Sequence, residues 1–136
     1  MMNISTRKTI RKYTQQPIPD ELLNRLLEEA SRTQTMGNLQ LYSVVVTRSQ
    51  EGKSALAPFH FHQPMVTNAP VVLTICADFR RVTDWCECRR AIPGYDNLLS
   101  FMNAATDALL YTQTFCNLAE EEGLGICFLG TTVYMP

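Results

Sequence analysis

The sequence predicts an α+β domain, in which helices pack against a small sheet. Two observations carry this prediction: the order of the predicted elements and the hydrophobic content. The order is helix, strand, strand, long helix, strand. The 136 residues are 46% hydrophobic, which is enough for one core and too little for two comfortable domains. We therefore expect residues 1–136 to form a single domain.

The first predicted helix begins at Ile18-Pro19-Asp20-Glu21. Proline suits the first turn of a helix, and acidic residues there interact favourably with the positive end of the helix dipole. Apolar residues then recur at helical spacing, which predicts one buried stripe. They are Leu22, Leu23, Leu26, Leu27 and Ala30. We expect the helix to end between Ser31 and Thr33.

Two short β-branched segments predict the first two strands. They are Tyr42–Thr47 and Ala69–Cys76. Both read as strands that are buried on both faces at their centres. Pro70 is expected within the first residues of its strand, where a missing backbone donor is tolerated.

The longest predicted helix runs from about Asp96 to Glu122 and would span about 40 Å. Its apolar residues recur every three or four positions, and further apolar residues lie on its other faces. A helix that is apolar nearly all round is central, or is shared with a second subunit. Gly123 is expected just beyond its C-terminus, and Ile126–Leu129 is expected to form a third strand.

Charge and hydropathy narrow the classes of function. The net charge is −1 and the pI is about 6.1, so no bulk attraction to nucleic acid or anionic lipid is expected. Residues 1–8 lack the apolar run of a secretory signal, and no stretch approaches the roughly 18 apolar residues of a membrane span. We therefore expect a cytoplasmic protein with neither a nucleic-acid nor a membrane partner.

The five cysteines predict reduced thiols rather than a metal site. Their number is odd, and three of them fall in apolar or amphipathic segments. Cys86 and Cys88 form a C-x-C pair, but no second pair or nearby histidine completes a zinc site. We expect no metal ligand.

The basic segment Arg7–Tyr13 is the first candidate for chemistry. Four cations and a threonine hydroxyl lie within seven residues. Guanidinium forks, ammonium groups and a short hydroxyl are the donors that a phosphate requires. The alternative is a solvated basic segment, which composition alone favours.

The polar segment Gln34–Tyr42 is the second candidate. It falls at a predicted helix–strand junction, where amide side chains and backbone donors can reach a planar heterocycle. Asparagine and glutamine both donate and accept, which suits the mixed edge of a flavin pyrimidine ring. An ordinary polar loop is the alternative.

The glycine-containing segment Gly123–Thr132 is the third candidate. Glycines allow tight turns and a close approach of backbone to a ligand. The segment does not match the G-x-G-x-x-G pattern that enters a helix, so a Rossmann site is disfavoured. The alternative is a helix cap followed by a turn at a strand end.

Together, these three segments resemble the nitroreductase family of FMN enzymes. The family opens with R-x-[ST]-x-R-x-[FY], which Arg7, Thr9, Arg11 and Tyr13 match. A [ST]-x-x-N-x-Q stretch follows before a strand, which Thr35, Asn38 and Gln40 match. A G-L-G segment then leads from a long helix into a strand ending in glycine, as residues 123–130 do. The resemblance covers essentially the whole chain.

The resemblance implies an α/β/α layered sandwich with a central antiparallel or mixed sheet and a long central helix. It also implies a homodimer with one FMN at each end of the interface. The residues that would hold the phosphate and ribityl side are Arg7, Lys8, Thr9 and Arg11. Those that would reach the same FMN from the other subunit are Gln34, Thr35, Met36 and Asn38. Gln40 completes the motif to which they belong. Those that would line the isoalloxazine are Phe128, Leu129, Gly130 and Thr131. His62 and Gln63 lie where the family often places an amide near the flavin pyrimidine.

The function implied by the resemblance is ping-pong hydride transfer from NAD(P)H, through FMN, to a nitroaromatic, quinone or similar small-molecule acceptor. The flavin carries such chemistry, so no catalytic side chain is expected. Two alternatives stay open: a flavin-binding or flavin-storage protein, and a non-catalytic dimeric subunit with a degenerate site.

Two features of the sequence depart from the family pattern. The family often has Pro-Trp where this sequence has Leu41-Tyr42. Family members also continue well past Pro136, with a strand, basic residues for the phosphate and an arm around the partner subunit. A naturally short member, a truncated product and a weak FMN binder are the three interpretations. From this feature we expect FMN to be lost readily on dialysis.

Overall fold

Five α-helices and two strands form in residues 4–94 and 97–134, the part of the chain that this computed structural model describes. In chain order they are α1 (Asp20–Ala30), β1 (Tyr42–Thr47), α2 (Gln50–Leu56), α3 (Pro64–Asn68), β2 (Val72–Ala77), α4 (Arg80–Cys88) and α5 (Leu98–Glu121). Short 3-10 turns lie at Ile4–Thr6, Met36–Asn38, Ala57–His60 and Thr131–Tyr134. The predicted α+β class is confirmed, while α2, α3 and α4 were not predicted.

The strands β1 and β2 pair antiparallel, with a register that runs from Tyr42 opposite Ala77 to Thr47 opposite Val72. β1 occupies the predicted range Tyr42–Thr47. The helices α1 and α5 pack together, and α5 also contacts both strands. Val44 and Ile75, which are opposite each other in the register, pack against the core beneath the sheet.

The main core lies between α1, α5 and the sheet. It contains Leu23 and Leu26 from the predicted stripe of α1 and Tyr111 and Phe115 from α5. The rings of Tyr42 and Tyr111 stack with centroids 4.4 Å apart, and the Tyr111 hydroxyl donates to the Leu27 carbonyl at 3.2 Å. Burial raises the pKa of Tyr111 to about 12, so this phenol is neutral in the folded protein. The tyrosine pair therefore connects β1, α1 and α5.

Both ends of α5 are capped. Asn97 Oδ1 accepts a hydrogen bond from the Ser100 N–H at 2.8 Å, which satisfies a free donor of the first turn. Gly123 follows the C-terminus with φ of +77°, and its N–H donates to the Glu120 carbonyl at 3.0 Å. The predicted role of Gly123 is thereby confirmed. The predicted helix start at Asp96 lies outside the described residues.

The predicted third strand at Ile126–Leu129 is wrong. This segment is irregular, and the structure gives its backbone one bond to another segment, from the Ile10 N–H to the Ile126 carbonyl at 2.9 Å. The side chains have strand propensity, but a strand also requires a neighbouring strand for its ladder, and none of the described segments supplies one.

The predicted burial of both sheet faces is also wrong. Val45 is 53% exposed, because the described helices cover the sheet from the opposite side, on which Val44 packs. Val46 shares the side of Val44 and is nevertheless 40% exposed. The second strand begins at Val72 rather than Ala69, since the Ala69 N–H closes α3 by donating to the Met65 carbonyl at 3.1 Å. Pro70 therefore lies before the strand.

The helix α5 leaves a row of apolar side chains exposed, although its opposite side is buried in the core. The row consists of Leu98, Leu99, Phe101, Met102, Leu109 and Leu110. Even so, none of the helices in residues 4–94 and 97–134 combines the length and the hydropathy that crossing a membrane requires. The exposed row matches the sequence expectation of a helix shared with a second subunit.

Candidate functional site

The basic segment Arg7–Tyr13 lies against the segment that follows α5. The Ile10 N–H donates to the Ile126 carbonyl at 2.9 Å, and a Cβ added to Gly125 would lie 2.8 Å from the Ile10 side chain. Glycine is thus required at position 125 for the two segments to approach so closely. The first and third candidate segments of the sequence are therefore neighbours in the fold.

The cations of the basic segment differ in how far they are already paired. Arg7 Nε lies 3.2 Å from Glu120 Oε1 of α5. By contrast, Arg11 has no carboxylate within 4 Å among the described residues. Its guanidinium lies near Tyr13, where its charge partly offsets burial and Cys127, which together raise the pKa of that phenol. Arg11 is therefore the more available partner for an anion.

A cleft of about 290 Å³ opens beside this basic segment. Its lining consists of Thr6, Arg7, Lys8, Ile10, Glu120, Gly123, Leu124 and Gly125. Lys8, Thr9 and Arg11 are exposed next to it along the chain. Beyond Cys127 the chain presents Phe128, which is 53% exposed, and the half-buried Leu129. We refer to residues 128–131 as the strip. Exposed cations and the exposed apolar part of the strip thus lie near each other, an arrangement that fits an amphiphilic ligand with an anionic end and a planar apolar end.

A hydrogen bond joins the residues before α3 to the end of this strip. His60 Nδ1 lies 2.7 Å from Thr131 Oγ1. His60 is 6% exposed, and burial lowers its pKa below the usual value. The next residues, Phe61 and His62, are exposed and have φ of +52° and +53°. His62 and Gln63 follow His60 by two and three positions in the sequence. The hydrogen bond therefore brings the segment that contains these predicted site residues near Thr131.

The sequence interpretation missed His60. It selected His62, which is exposed, whereas His60 is the histidine that contacts the strip. Both histidines are adjacent to Phe61 in the sequence. No periodicity in such a short irregular segment indicates which of the two points inward. The assignment of His62 and Gln63 to a flavin edge stays a prediction.

The loop between α1 and β1 is held by a buried carboxylate of α5. Asp107 Oδ1 accepts from the Met36 N–H at 2.8 Å, and Asp107 Oδ2 accepts from the Leu41 N–H at 3.1 Å. Asp107 is completely buried. Both oxygens of one carboxylate therefore fix both ends of the 36–41 turn.

This loop has an unusual backbone. Gly37, Asn38 and Gln40 all have φ near +55°, a region that non-glycine residues seldom adopt. The Gln40 carbonyl accepts from the Tyr42 N–H at 2.9 Å and from the Arg81 guanidinium of α4. Strained conformations of this kind persist where surrounding contacts determine them, and they cluster at ligand sites.

One side chain of the loop has an unsatisfied polar atom. Thr35 Oγ1 is buried and has no hydrogen-bond partner among the described residues. A buried hydroxyl without a partner costs free energy. Its neighbours Gln34, Met36 and Asn38 are exposed. The loop thus offers a ligand one orphaned hydroxyl together with two free amide side chains.

The sequence interpretation also missed Asp107, although a signal was present. Asp107 is the single charged residue between Leu98 and Ala119 in an otherwise uncharged and largely apolar stretch of helix. A lone carboxylate in such a helix requires hydrogen-bond donors, because an unpaired buried charge is very costly. The backbone of the 36–41 turn provides them.

Within one chain, the two halves of the predicted site lie far apart. The loop is attached to α5 at Asp107, and the basic segment is attached at Glu120. Thirteen residues of helix separate these points by about 20 Å along the axis and by about 140° around it. The structure therefore brings together the basic segment with Ile126, and His60 with Thr131, but it does not bring the 34–40 loop to either.

Comparisons with known proteins identify relatives of the same fold. The family described as "Nitroreductase family" matches residues 4–134. A protein of Bacteroides fragilis NCTC 9343, known from its crystal structure, is 63% identical with a TM-score of 0.96, over 98% of this chain and 54% of that one. The NfrA1 nitroreductase of B. subtilis is 29% identical with a TM-score of 0.91, over 95% of this chain and 53% of that one.

A curated relative gives the same extent. "FMN reductase [NAD(P)H]" of Bacillus subtilis (strain 168) is 29% identical over 132 residues, which is 94% of this chain and 52% of the relative. Nearly all of this chain therefore matches about half of the length of such curated relatives.

Proposed function

The chain belongs to the nitroreductase family, and from this premise we propose that it binds FMN and passes electrons from NAD(P)H to a small-molecule acceptor. The observation that carries the proposal is the contact of the basic segment with the 123–131 segment, made by the Ile10–Ile126 hydrogen bond. This contact supports the proposal because exposed cations and an exposed apolar segment lie near each other, as the phosphate and the ring of an FMN molecule require.

The residues present fit this cofactor. Arg11, Lys8 and Thr9 are exposed donors for the phosphate and ribityl chain. Arg7 adds the guanidinium N–H donors that its ion pair with Glu120 does not use. The residues proposed to line the ring are Phe128, Leu129, Gly130 and Thr131, with His62 and Gln63 at its pyrimidine edge. Bound FMN would supply the redox chemistry, with hydride received from NAD(P)H and given to a nitroaromatic, quinone or similar acceptor in ping-pong order.

The remaining donors are proposed to come from a second copy of the chain. Since about 20 Å of helix separates the 34–40 loop from the basic segment, the loop cannot readily serve the same FMN within one chain. The partner subunit's loop would supply its orphaned Thr35 hydroxyl together with Gln34, Met36, Asn38 and Gln40. The exposed apolar row of α5 supports such a homodimer.

Absorbance spectroscopy tests the cofactor and the activity in turn. Purified protein titrated with FMN, and kept in excess FMN because the cofactor is expected to dissociate readily, should shift the flavin spectrum from that of free flavin. Bleaching by NADH or NADPH, followed by recovery on addition of a quinone or nitroaromatic, supports the oxidoreductase. A shifted spectrum without bleaching would instead support the flavin-storage alternative, and an unshifted spectrum at saturating FMN would support the non-catalytic subunit.

The phosphate assignment has its own test. Replacing an arginine that binds phosphate removes a charge-assisted bond worth about 1.5–3 kcal/mol. We expect Arg11→Ala to weaken FMN affinity at least about tenfold, which is 1.4 kcal/mol, and Arg7→Ala to weaken it less because Glu120 already pairs with Arg7. The matched control is Lys12→Ala, the neighbouring exposed cation. Equal effects of Arg11→Ala and Lys12→Ala in a flavin-fluorescence titration would contradict the assignment.

A further inference from the structure

A second cleft lies away from the proposed FMN site. It has a volume of about 290 Å³ and is enclosed by the Thr14–Pro17 segment, the first turn of α2 and the Thr67–Pro70 turn. None of its lining residues belongs to the 7–11 segment, the 34–40 loop or the 128–131 strip. The cleft therefore has a chemistry of its own.

Lys53 is the buried member of this cleft. Lys53 lines the cavity, and the residue is only 7% exposed. Lys53 Nζ donates to the Ala69 carbonyl at 2.8 Å. Among the described residues no carboxylate lies within 4 Å of that nitrogen. An ammonium group has three N–H donors, so one carbonyl leaves most of its hydrogen-bonding capacity, and all of its charge, unmatched.

A buried charge of this kind is costly unless it is paired. The structure retains it at the base of a cleft whose other polar groups are neutral. They are the amides of Gln15, Gln50 and Asn68 and the hydroxyls of Thr14 and Thr67. No aspartate or glutamate lines the cleft. Lys53 is therefore the one charged residue among those that line the cleft, and the other polar side chains there are able to donate hydrogen bonds.

A phosphate group is the ligand class that matches this arrangement. It carries up to two negative charges and several acceptor oxygens, and lysine binds it as a point charge while amides and hydroxyls satisfy the remaining oxygens. The cavity volume is close to the lower limit of small-molecule sites. It therefore has room for a phosphate with a small organic substituent.

We propose that the Lys53 cleft binds a phosphate group, carried either by inorganic phosphate or by a small phosphomonoester. The Lys53 ammonium provides the charge, and the amides at the rim provide the orientation. This site is separate from the one proposed for FMN, and it does not depend on FMN binding.

Thermal melts and calorimetric titrations test the site with inorganic phosphate and glycerol 3-phosphate as probes. Ionic strength is held constant with chloride, because unspecific screening must be separated from binding. The expected result is a saturable rise of the melting temperature, as mass action requires for a ligand of the folded state. Tighter binding of one probe identifies the source of the phosphate, and either outcome supports the site.

Two variants and one control assign the response to the cleft. Lys53→Met should weaken phosphate binding at least tenfold, whereas Arg32→Met, at an exposed cation outside both proposed sites, should leave it unchanged. Should Lys53→Met fail to fold, Gln50→Glu adds a negative charge at the exposed rim, where an acidic residue in the first turn of α2 suits the helix. Gln50→Glu should also weaken phosphate binding at least tenfold.

Three results would overturn the proposal. The first is a wild-type protein that shows no saturable response to either probe. The second is a response that survives both Lys53→Met and Gln50→Glu. The third is a response that saturating FMN abolishes, because the phosphate would then occupy the FMN site rather than a second one.

Discussion

At the scale of single residues, Asp107 determines the shape of the loop between α1 and β1. It accepts two backbone hydrogen bonds while fully buried, and bonds to a charged group are worth about 1.5–3 kcal/mol each. We expect Asp107→Ala to lower the free energy of unfolding by about 3 kcal/mol or more. Asp107→Asn, which keeps one acceptor, should cost less. Chemical denaturation measures both.

The matched control for Asp107 is Asp84→Asn on α4. Asp84 is an exposed carboxylate, 3.6 Å from Arg80, and exposed ion pairs contribute about 0–1 kcal/mol. A loss of stability in Asp107→Ala no greater than in Asp84→Asn would show that the loop does not depend on this anchor.

The burial of His60 predicts that the stability of the protein depends on pH. Burial lowers the pKa of His60, so the unfolded chain takes up a proton near pH 6.5 while the folded protein stays neutral at that position to lower pH. The free energy of unfolding should therefore fall as the pH drops below about 6.5, by at most about 1.4 kcal/mol per pH unit from this group.

Replacing His60 by Gln should flatten this pH dependence, because it removes the group whose pKa burial lowers. Unfolding free energies measured between pH 5 and 8 compare the variant with the wild type. An unchanged slope in His60→Gln would mean that other groups cause the acid sensitivity.

At the scale of elements, the contact between the basic segment and residues 123–131 depends on a missing side chain. An alanine at position 125 would place its Cβ 2.8 Å from the Ile10 side chain, and overpacking of this kind costs about 1–3 kcal/mol. We expect Gly125→Ala to destabilise the protein by that amount and to weaken FMN binding, since the basic segment must move.

Two comparisons isolate the clash with Ile10. Gly94→Ala adds the same methyl group where no atom lies within 4 Å, and it should be nearly neutral. Adding Ile10→Ala to Gly125→Ala removes the clashing atoms, so the double variant should be more stable than the sum of the two single effects. Strict additivity would rule out this contact as the cause.

The elements that the sequence predicted are those whose periodicity repeats over several turns. The stripe of α1 and the long repeat of α5 identify both helices to within three residues at the described ends, and the β-branched run locates β1. The helix α4 was missed because its buried residues are only Val82 and Cys86, which is too few for a visible repeat. The strand expected at Ile126–Leu129 failed because propensity does not supply a pairing partner.

The candidate site divides in the same way. The motifs of residues 7–13 and 123–130 were visible in the sequence, and the Ile10–Ile126 hydrogen bond joins them. Asp107 and His60 were missed because each acts on residues more than sixty positions away. The lone charge of Asp107 in α5 indicated that it requires hydrogen-bond donors, but contacts at such separation in the chain leave no local pattern that identifies the partners, so only the fold reveals them.

At the scale of the whole molecule, the exposed apolar row of α5 predicts association. Leu98 is 75% exposed, Leu99 is 70% exposed and Leu109 is 65% exposed on one helix, and burial of apolar area stabilises by about 25 cal/mol per Å². We expect a two-fold homodimer with an interface above roughly 2,000 Å² in total. Sedimentation at micromolar concentration measures this.

Leu109→Glu should convert the dimer into monomers, because it places a charge within the apolar row without disturbing the buried core. Val45→Glu is the control, since Val45 is 53% exposed on the side of the sheet opposite the core. A wild-type chain that sediments as a stable monomer would contradict the prediction, as would equal effects of the two substitutions.

The helix α5 also sets the spacing between its two attachments, at Asp107 and at Glu120. Each residue adds about 1.5 Å to the length of the helix and a rotation of about 100° around its axis. A single inserted residue between these points would thus swing one attachment about a quarter of a turn around the axis, whereas seven residues would nearly restore the angle but lengthen the spacing by about 10 Å. Insertions and deletions in this stretch should therefore be far less tolerated than substitutions, and the length of this helix should be a fixed dimension of the molecule.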